Sequence, residues 1–248
     1  MLELKNVRHS YAGINGRTES LHGINLEIHP GEIIGLFGEN GAGKTTLEKC
    51  ILGLLSCKGQ ILLDGRPVTG KDRERFAFAT CEHSFFPNLT PRQHEEFYKS
   101  YFPQFREKRF QALMEFFELP MKKPLKSFST GQKNQFEVIM ALSQGADYVF
   151  MDEPFAGNDV FNREDFYKVL VGILEPTETV VISTHLIEEI ENCISRAVLI
   201  RKGNIVGNIT TLELEEADKS LMEYIKETYH YRSDRVGKAL KELTGGDL

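Results

Sequence analysis

The sequence predicts an α/β fold with a mainly parallel core sheet, an antiparallel β subdomain and an inserted α-helical subdomain. Three observations support this prediction. An apolar, strand-like run at residues 32–37 leads directly into a glycine-rich loop and a helix-like segment at 46–52. After residue 144, short apolar runs alternate with a helical segment, as in βαβ units. Between these two parts, residues 87–144 have a helical pattern, which indicates an insertion into the α/β core.

The first segments of the chain are short and strand-like. We expect strands around residues 2–4, 23–28 and 60–63, where aliphatic residues are bounded by turn signals. His29-Pro30-Gly31 and Asp64-Gly65 supply two of these turns. The segments therefore predict an antiparallel sheet that flanks the core.

The glycine-rich loop, GENGAGKT, matches the phosphate-binding pattern G-x-x-x-x-G-K-[ST] in full. Glycines allow positive φ, so that successive amide groups can curl around a phosphate, and the following helix adds the partial positive charge of its N-terminus. Lys44 supplies a cation for the β- and γ-phosphates, and the Thr45 hydroxyl is placed to ligate Mg²⁺. The motif predicts a nucleoside triphosphate site in a P-loop NTPase-like core. Its expected binding residues are Gly38, Glu39, Asn40, Gly41, Ala42, Gly43, Lys44, Thr45 and Thr46.

The helical segment begins with clear start signals. Thr90 can cap a helix, Pro91 suits its first position, and Gln93 follows at the spacing of a capping box. Aromatic and aliphatic residues then recur at helical intervals, and we expect them to lie in a core rather than to stack on bases. These residues are Phe97, Tyr101, Phe110, Leu113, Phe116 and Phe117.

Two carboxylates follow the next buried strand. The apolar runs 148–151 and 179–182 are typical of parallel strands, and a helical segment at 162–174 separates them. Asp152 and Glu153 come directly after the first run, at the sheet edge where ligands of parallel sheets bind. We expect Asp152 to reach Mg²⁺ through a water molecule and Glu153 to polarise the attacking water as general base. Taken alone, this segment could also be a solvated acidic turn.

Charge and composition restrict the possible partners. The net charge of −6 gives no global basic surface, so nucleic acid is not an expected partner. The four cysteines, which form no C-x-x-C pair, predict reduced thiols in a cytosolic protein and no zinc site. The first residues do not resemble a secretion signal, and no apolar run approaches the roughly 20 residues of a membrane helix. We therefore expect a soluble chain.

A further segment, FSTGQ at residues 128–132, precedes the helix-like run 133–142, which Ser129 can cap. The segment lies between the phosphate loop and the two carboxylates at 152–153, which is the order found in the ATP-binding cassette (ABC) family, the nucleotide-binding subunits of ABC transporters. In this context it resembles the LSGGQ signature of that family. Phe128 replaces Leu, and Thr130 replaces the first Gly. The signature residues are Phe128, Ser129, Thr130, Gly131 and Gln132.

Other matches occur in family order. Tyr11 resembles the aromatic residue that stacks on adenine, Asp159 lies in a segment similar to the D-loop, and His185 is similar to the switch histidine. The resemblance covers about residues 2–210, which implies one ABC ATPase domain with a helical subdomain inserted at about 87–144. A hairpin is expected at 197–206 within it. Residues 211–248 form a short, charged and mainly helical tail.

The resemblance implies a Mg²⁺-dependent ATPase that pairs head to tail with a second ABC subunit. ATP on Lys44 of one subunit would be closed over by Ser129 and Gly131 of the other, and His185 would contact the γ-phosphate and orient water with Glu153. The cassette would drive a separate transmembrane permease from the cytoplasmic face of the cell membrane. A soluble cassette that acts in cofactor or complex assembly is the alternative. A third hypothesis is a nucleotide-binding regulator without enzymatic activity, but the presence of Lys44, Asp152, Glu153 and His185 argues against it.

The chain departs from the family after the strand-like run 76–80. Family members have a glutamine there that senses Mg²⁺ and contacts the membrane partner, whereas this chain has Cys81 followed by Glu82. Glu82 could take the Mg²⁺ role because a carboxylate is the better ligand for a hard cation, or the loop could only pack. The following residues 84–90 resemble exporter-type cassettes with a separate membrane subunit.

Overall fold

The computed structural model describes residues 1–13, 16–154 and 160–230. The strands are β1 Leu2–Gly13, β2 Gly16–Ile28, β3 Ile33–Phe37, β4 Lys58–Leu63, β5 Arg66–Pro67, β6 Phe76–Ala79, β7 Tyr148–Asp152, β8 Thr179–Thr184, β9 Arg196–Arg201 and β10 Asn204–Thr210. The helices are α1 Lys44–Ile51, α2 Pro91–Tyr101, α3 Glu107–Phe116, α4 Thr130–Ser143, α5 Val160–Ile173, α6 Ile187–Ile190, α7 Thr211–Glu216 and α8 Leu221–Thr228.

The core sheet has six strands in the order β10-β9-β3-β8-β7-β6. All its pairs are parallel except the edge pair of β9 and β10, which forms the predicted hairpin. Phe37 pairs with Thr184, and Asp152 pairs with Ser183, so the carboxyl ends of β3, β7 and β8 meet at one edge. The predicted mainly parallel core is confirmed, and this edge is where its functional side chains converge.

A second, antiparallel sheet has the order β2-β1-β4-β5 and confirms the predicted β subdomain. Its first two strands are much longer than the segments 2–4 and 23–28 expected from the sequence. Register shifts at Leu4/Val7, Val7/Arg8 and His9/Ser10 interrupt the alternation of β1, and most of its distal residues are exposed. The period-two pattern therefore fades although the ladder continues.

Helices α2, α3 and α4 form the helical subdomain between β6 and β7. Thr90 and Gln93 cap α2 as predicted, with Pro91 as its first residue. Phe110 and Leu113 are buried in the main core, also as predicted.

The expectation that all the aromatic residues of this segment are core was wrong for three of them. Phe97, Tyr101 and Phe116 are 40%, 66% and 39% exposed. Phe97 and Tyr101 lie one turn apart on α2 and contact each other, with ring centroids 4.5 Å apart. Helical spacing places residues on a common face, but it does not show that another element covers that face.

The C-terminal helices α7 and α8 pack on the core through Leu214, Leu221 and Ile225. The Tyr229 hydroxyl, just after α8, donates to the carbonyl of Ile200 at 3.2 Å. Within the described ranges, none of the helices has the length and apolar character needed to span a bilayer.

Candidate nucleotide-binding and catalytic site

The phosphate loop connects β3 to α1 and requires glycine at defined positions. Gly43, the N-cap of α1, has φ 112°, and Gly41 has φ 78°. A Cβ atom at Gly43 would lie 3.1 Å from the carbonyl oxygen of Ser20. At Gly38, a Cβ atom would lie 2.4 Å from the carbonyl oxygen of Ile200. The loop thus depends on left-handed backbone and on close approach of neighbouring strands.

The Lys44 ammonium lies across this loop. Its Nζ donates to the carbonyl oxygens of Gly38 at 2.7 Å and Glu39 at 3.4 Å. An ammonium carries three donors, and phosphate oxygens can replace carbonyl oxygens as their acceptors. The geometry therefore suits a cation that binds the β- and γ-phosphates above the loop.

Asp152 and Thr45 meet directly. Thr45 Oγ1 donates to Asp152 Oδ2 at 2.6 Å, and Ser183 Oγ donates to Asp152 Oδ1 at 2.8 Å. The two residues expected to serve Mg²⁺ are therefore adjacent, although 107 positions separate them in the chain. Their hydroxyl and carboxylate oxygens are the ligands that this hard cation prefers.

Glu153 and His185 also contact each other. His185 Nδ1 lies 2.9 Å from Glu153 Oε1, and Thr184 Oγ1 donates to Glu153 Oε2 at 3.1 Å. Glu153 has φ 47°, an uncommon value for a residue with a long side chain, and its N–H donates to the carbonyl of Ser183 at 2.8 Å. The strained backbone and the two side-chain bonds fix the carboxylate at the exit of β7, a position that suits a general base.

Cys81 and Glu82 point to different neighbours. Cys81 Sγ donates to the carbonyl of Glu153 at 3.2 Å, whereas the Glu82 carboxylate pairs with Lys49 Nζ at 2.5 Å and is 66% exposed. Burial, together with the charges of Asp152 and Glu153, raises the pKa of Cys81 to about 11. The thiol is therefore protonated at neutral pH and can donate to the backbone carbonyl of Glu153. A Mg²⁺ role for Glu82 stays a prediction.

The nucleotide cleft has a volume of about 610 Å³. The phosphate loop, the ends of β6 and β7, and the β1–β2 hairpin line it. Tyr11 lies over the loop, with its hydroxyl 3.1 Å from Thr46 Oγ1. Thr18 and Ser20 of β2 also line the cleft, and Thr18 pairs with Tyr11. The sequence did not predict these two residues, because the expected strand began only at residue 23; a longer hairpin would have placed them beside Tyr11.

The signature segment lies at the N-terminus of α4. Ser129 Oγ accepts the N–H of Gln132 at 3.2 Å, and the Gln132 side chain accepts the N–H of Ser129 at 3.0 Å. This capping box confirms the predicted helix start. Phe128 is buried, whereas Ser129 and Thr130 are exposed. No residue of the segment is among those that line the cleft of its own chain. Asp159 lies outside the described residues.

Two buried carboxylates near the site carried no sequence signal. Glu48 lies one turn into α1, and burial, with the charge of Asp152 nearby, raises its pKa well above the usual range. Glu137 lies in α4, and burial raises its pKa to about 7. Each occupies an ordinary helical position in the sequence, so only the tertiary packing reveals it.

Comparisons with known proteins agree with this geometry. Residues 21–156 match the ABC transporter family. The ABC transporter ATP-binding protein YtrB of Bacillus subtilis is 27% identical over 246 residues, covering 98% of this chain and 80% of that protein. The structure of an ATP-binding subunit of an ABC transporter superposes with a TM-score of 0.81 at 23% identity, over 92% of this chain and 99% of that one.

A second solved structure is a dimeric ATP-binding cassette in a post-hydrolysis state with ADP and Pi. It superposes with a TM-score of 0.75 at 22% identity, over 85% of this chain and 98% of that one. At these identities the two structures establish the fold, and the family match covers more than half of the chain. The chain therefore belongs to the ABC transporter family, as an ATP-binding subunit that hydrolyses ATP.

Proposed function

We propose that this subunit hydrolyses ATP in a composite site, in which the phosphate loop of one cassette faces the signature segment of a second. One observation carries the proposal. Ser129 is exposed at the N-terminus of α4, yet neither it nor Gly131 lines the cleft that holds Lys44. A helix N-terminus attracts anions, so the N-terminus of α4 in one subunit can approach the γ-phosphate of ATP bound to the other. The related dimeric cassette with ADP and Pi supports the same pairing.

Within each half-site the residues divide the work. Tyr11 stacks on adenine, the amides of the phosphate loop and Lys44 bind the phosphates, and Glu153 acts as general base on the attacking water. His185, already in contact with Glu153, binds the γ-phosphate and holds that carboxylate in place. Because the γ-phosphate contacts both subunits, its loss on hydrolysis removes the differential affinity for the closed dimer.

The residues present fit a Mg²⁺ ion. The Thr45 hydroxyl and the Asp152 carboxylate would hold it, the latter through water, and the ion would neutralise charge on the β- and γ-phosphates. Among the described residues, no cluster of three or more His, Cys, Asp or Glu side chains could form a closed metal cage. Mg²⁺ in phosphate sites ordinarily uses one or two protein ligands together with phosphate and water, so this donor set is appropriate.

The proposed partners are a second ABC ATPase subunit and a separate transmembrane permease, which would place the chain at the cytoplasmic face of the cell membrane. The resemblance of residues 84–90 to exporter-type cassettes supports the exporter subclass. Residues 1–210 would form the ATPase domain and 211–248 a tail. The transport role is favoured over cofactor or complex assembly by the transporter relative YtrB.

The Glu153→Gln variant tests the composite site. We expect it to bind ATP and to lose more than about a hundredfold in turnover, because the amide cannot take a proton from water. With ATP and Mg²⁺ it should accumulate as a dimer in light scattering. The matched control is Glu153→Gln combined with Ser129→Arg, which should bind ATP as a monomer. Hydrolysis by Glu153→Gln at the wild-type rate would refute the proposal, as would a dimer that tolerates Ser129→Arg.

A further inference from the structure

The loop between β6 and α2, residues 80–90, contacts the catalytic strand at its start and the signature helix a few residues later. At its start, Cys81 Sγ donates to the carbonyl of Glu153. Three residues later, the N–H of Ser84 donates to Glu137 Oε1 at 2.9 Å. His83, between them, has φ 53°, so the chain turns sharply from one contact to the other. A single short segment thus joins the general base to α4.

Glu137 is placed to hold this segment firmly. It lies two turns beyond Thr130, the first residue of α4, and its side chain is 2% exposed. Besides the N–H of Ser84, its carboxylate interacts with the Ser84 hydroxyl at 3.4 Å and with the backbone of Phe85 and Thr80. Within the described ranges, Glu137 forms no ion pair. Its polar contacts are therefore with loop 80–90. Removing the carboxylate would leave N–H donors of this loop without an acceptor, which is unfavourable.

We propose that Glu137 is a positioning residue for ATP hydrolysis, tying loop 80–90 to the signature helix so that the position of α4 sets the position of Glu153. The proposal rests on the composite site proposed above, in which Ser129 at the start of α4 meets the partner's nucleotide. A rigid helix links Ser129 to Glu137, and hydrogen bonds then link Glu137 through Ser84 and Cys81 to the backbone of Glu153. The link uses a carboxylate in a chain whose loop lacks the glutamine typical of the family.

Three variants test the proposal in steady-state ATPase assays of the full chain. In Glu137→Ala the backbone donors of the loop lose their acceptor, and we expect kcat to fall about tenfold or more while KM for ATP changes less than about threefold. Glu137→Gln keeps an acceptor oxygen of the same reach, so it should retain most of kcat. The matched control is Glu95→Ala, a buried carboxylate of α2 whose side chain interacts with Gln111 rather than with loop 80–90.

A second measurement tests how firmly Glu137 holds loop 80–90 without relying on ATP hydrolysis. With Cys50, Cys57 and Cys193 replaced by serine, labelling of the Cys81 thiol by a maleimide reports how often the loop leaves the Glu153 backbone. We expect Glu137→Ala to increase this rate on the order of tenfold, through a lower free energy of local opening, and Glu95→Ala to leave it unchanged. Thermal unfolding of each variant separates local opening from general destabilisation.

The outcomes are distinct from those that test the composite site. Normal kcat and normal Cys81 labelling in Glu137→Ala, in a protein whose turnover Glu153→Gln arrests, would overturn the positioning role and leave the composite site intact. Equal losses in Glu137→Ala and Glu95→Ala would also overturn it, because they would mark a general effect of subdomain stability. A selective loss of kcat, rescued by Gln and accompanied by faster labelling, supports it.

Discussion

The hydroxyl and the ring of Tyr11 have different surroundings. Its hydroxyl lies 3.1 Å from Thr46 Oγ1 above the phosphate loop, while its ring, nearly half exposed, is available to an adenine base. We predict that Tyr11→Ala weakens ATP binding by roughly tenfold, since stacking of a base on an aromatic ring contributes about 1–3 kcal/mol. Tyr11→Phe, which keeps the ring and removes the hydroxyl, should bind ATP about as well as the wild type. Titration with a fluorescent nucleotide measures both, and equal weakening in the two variants would contradict the stacking role.

The raised pKa of Glu137 predicts how the stability of the fold depends on pH. Burial raises its pKa in the folded chain to about 7 from an ordinary 4.5, so folding favours its protonated form. Its contribution to stability is fully present below pH 4.5 and is lost as the pH rises through 7, a change of roughly 3 kcal/mol. Glu137→Gln cannot ionise and should therefore be more stable than the wild type at pH 8, with a smaller difference at pH 5. Denaturant unfolding at both values checks this, and a constant difference would contradict it.

At the scale of elements, two helices begin with the same capping arrangement but different surroundings. Thr90 with Gln93 caps α2, and Ser129 with Gln132 caps α4. Thr90→Ala and Ser129→Ala should each destabilise the chain by about 1 kcal/mol, because each leaves a helix N–H unsatisfied. Only Ser129→Ala should also lower ATPase activity, since only its hydroxyl is proposed to face a partner's nucleotide. Unfolding and ATPase assays on the pair separate the two roles, and equal activity losses would contradict the assignment.

These caps show what local sequence can predict. A capping residue, its partner three positions on and a first-turn proline act within one turn of chain, so the sequence contains the whole interaction. The same holds for the phosphate loop, whose left-handed Gly41 and Gly43 lie close in sequence to Lys44 and Thr45. The pairing of Thr45 with Asp152 was predictable too, because parallel strands bring their carboxyl ends to one edge.

Other elements depended on contacts that the sequence does not specify. The exposure of Phe97 and Tyr101 follows from what packs on α2, not from their spacing. The Glu82 carboxylate pairs with Lys49, and the next residue, His83, has a left-handed backbone although it is not a glycine. In the sequence, Glu137 is an ordinary helix position, and only the tertiary packing brings Ser84 into contact with it. Each of these features arises from long-range packing.

At the scale of the whole molecule, the buried Glu178 carboxylate joins the helical subdomain to the core by pairing with two arginines, Arg109 and Arg106. Arg109 of α3 binds both carboxylate oxygens of Glu178, which precedes β8, at 2.8 and 2.9 Å. Arg109 also donates to the carbonyls of Leu142 in α4 and Ile173 at the end of α5. One guanidinium therefore connects three helices to the strand that leads to His185.

This connection predicts a strong dependence of global stability on Arg109. Arg109→Ala should destabilise the chain by about 3 kcal/mol, because it removes the bidentate partner of Glu178, only 4% exposed, and leaves that buried carboxylate with one longer ion pair, to Arg106 at 3.3 Å. For a chain of this size each kcal/mol lowers Tm by about 2–4 °C, so calorimetry should resolve the change easily. Arg109→Ala combined with Glu178→Ala should cost less than the sum of the two single changes, since the double variant no longer buries a carboxylate that has lost its main partner. Additive losses would show that Arg109 acts through the helix carbonyls alone, in which case the ion pair would not be what joins the subdomain to the core.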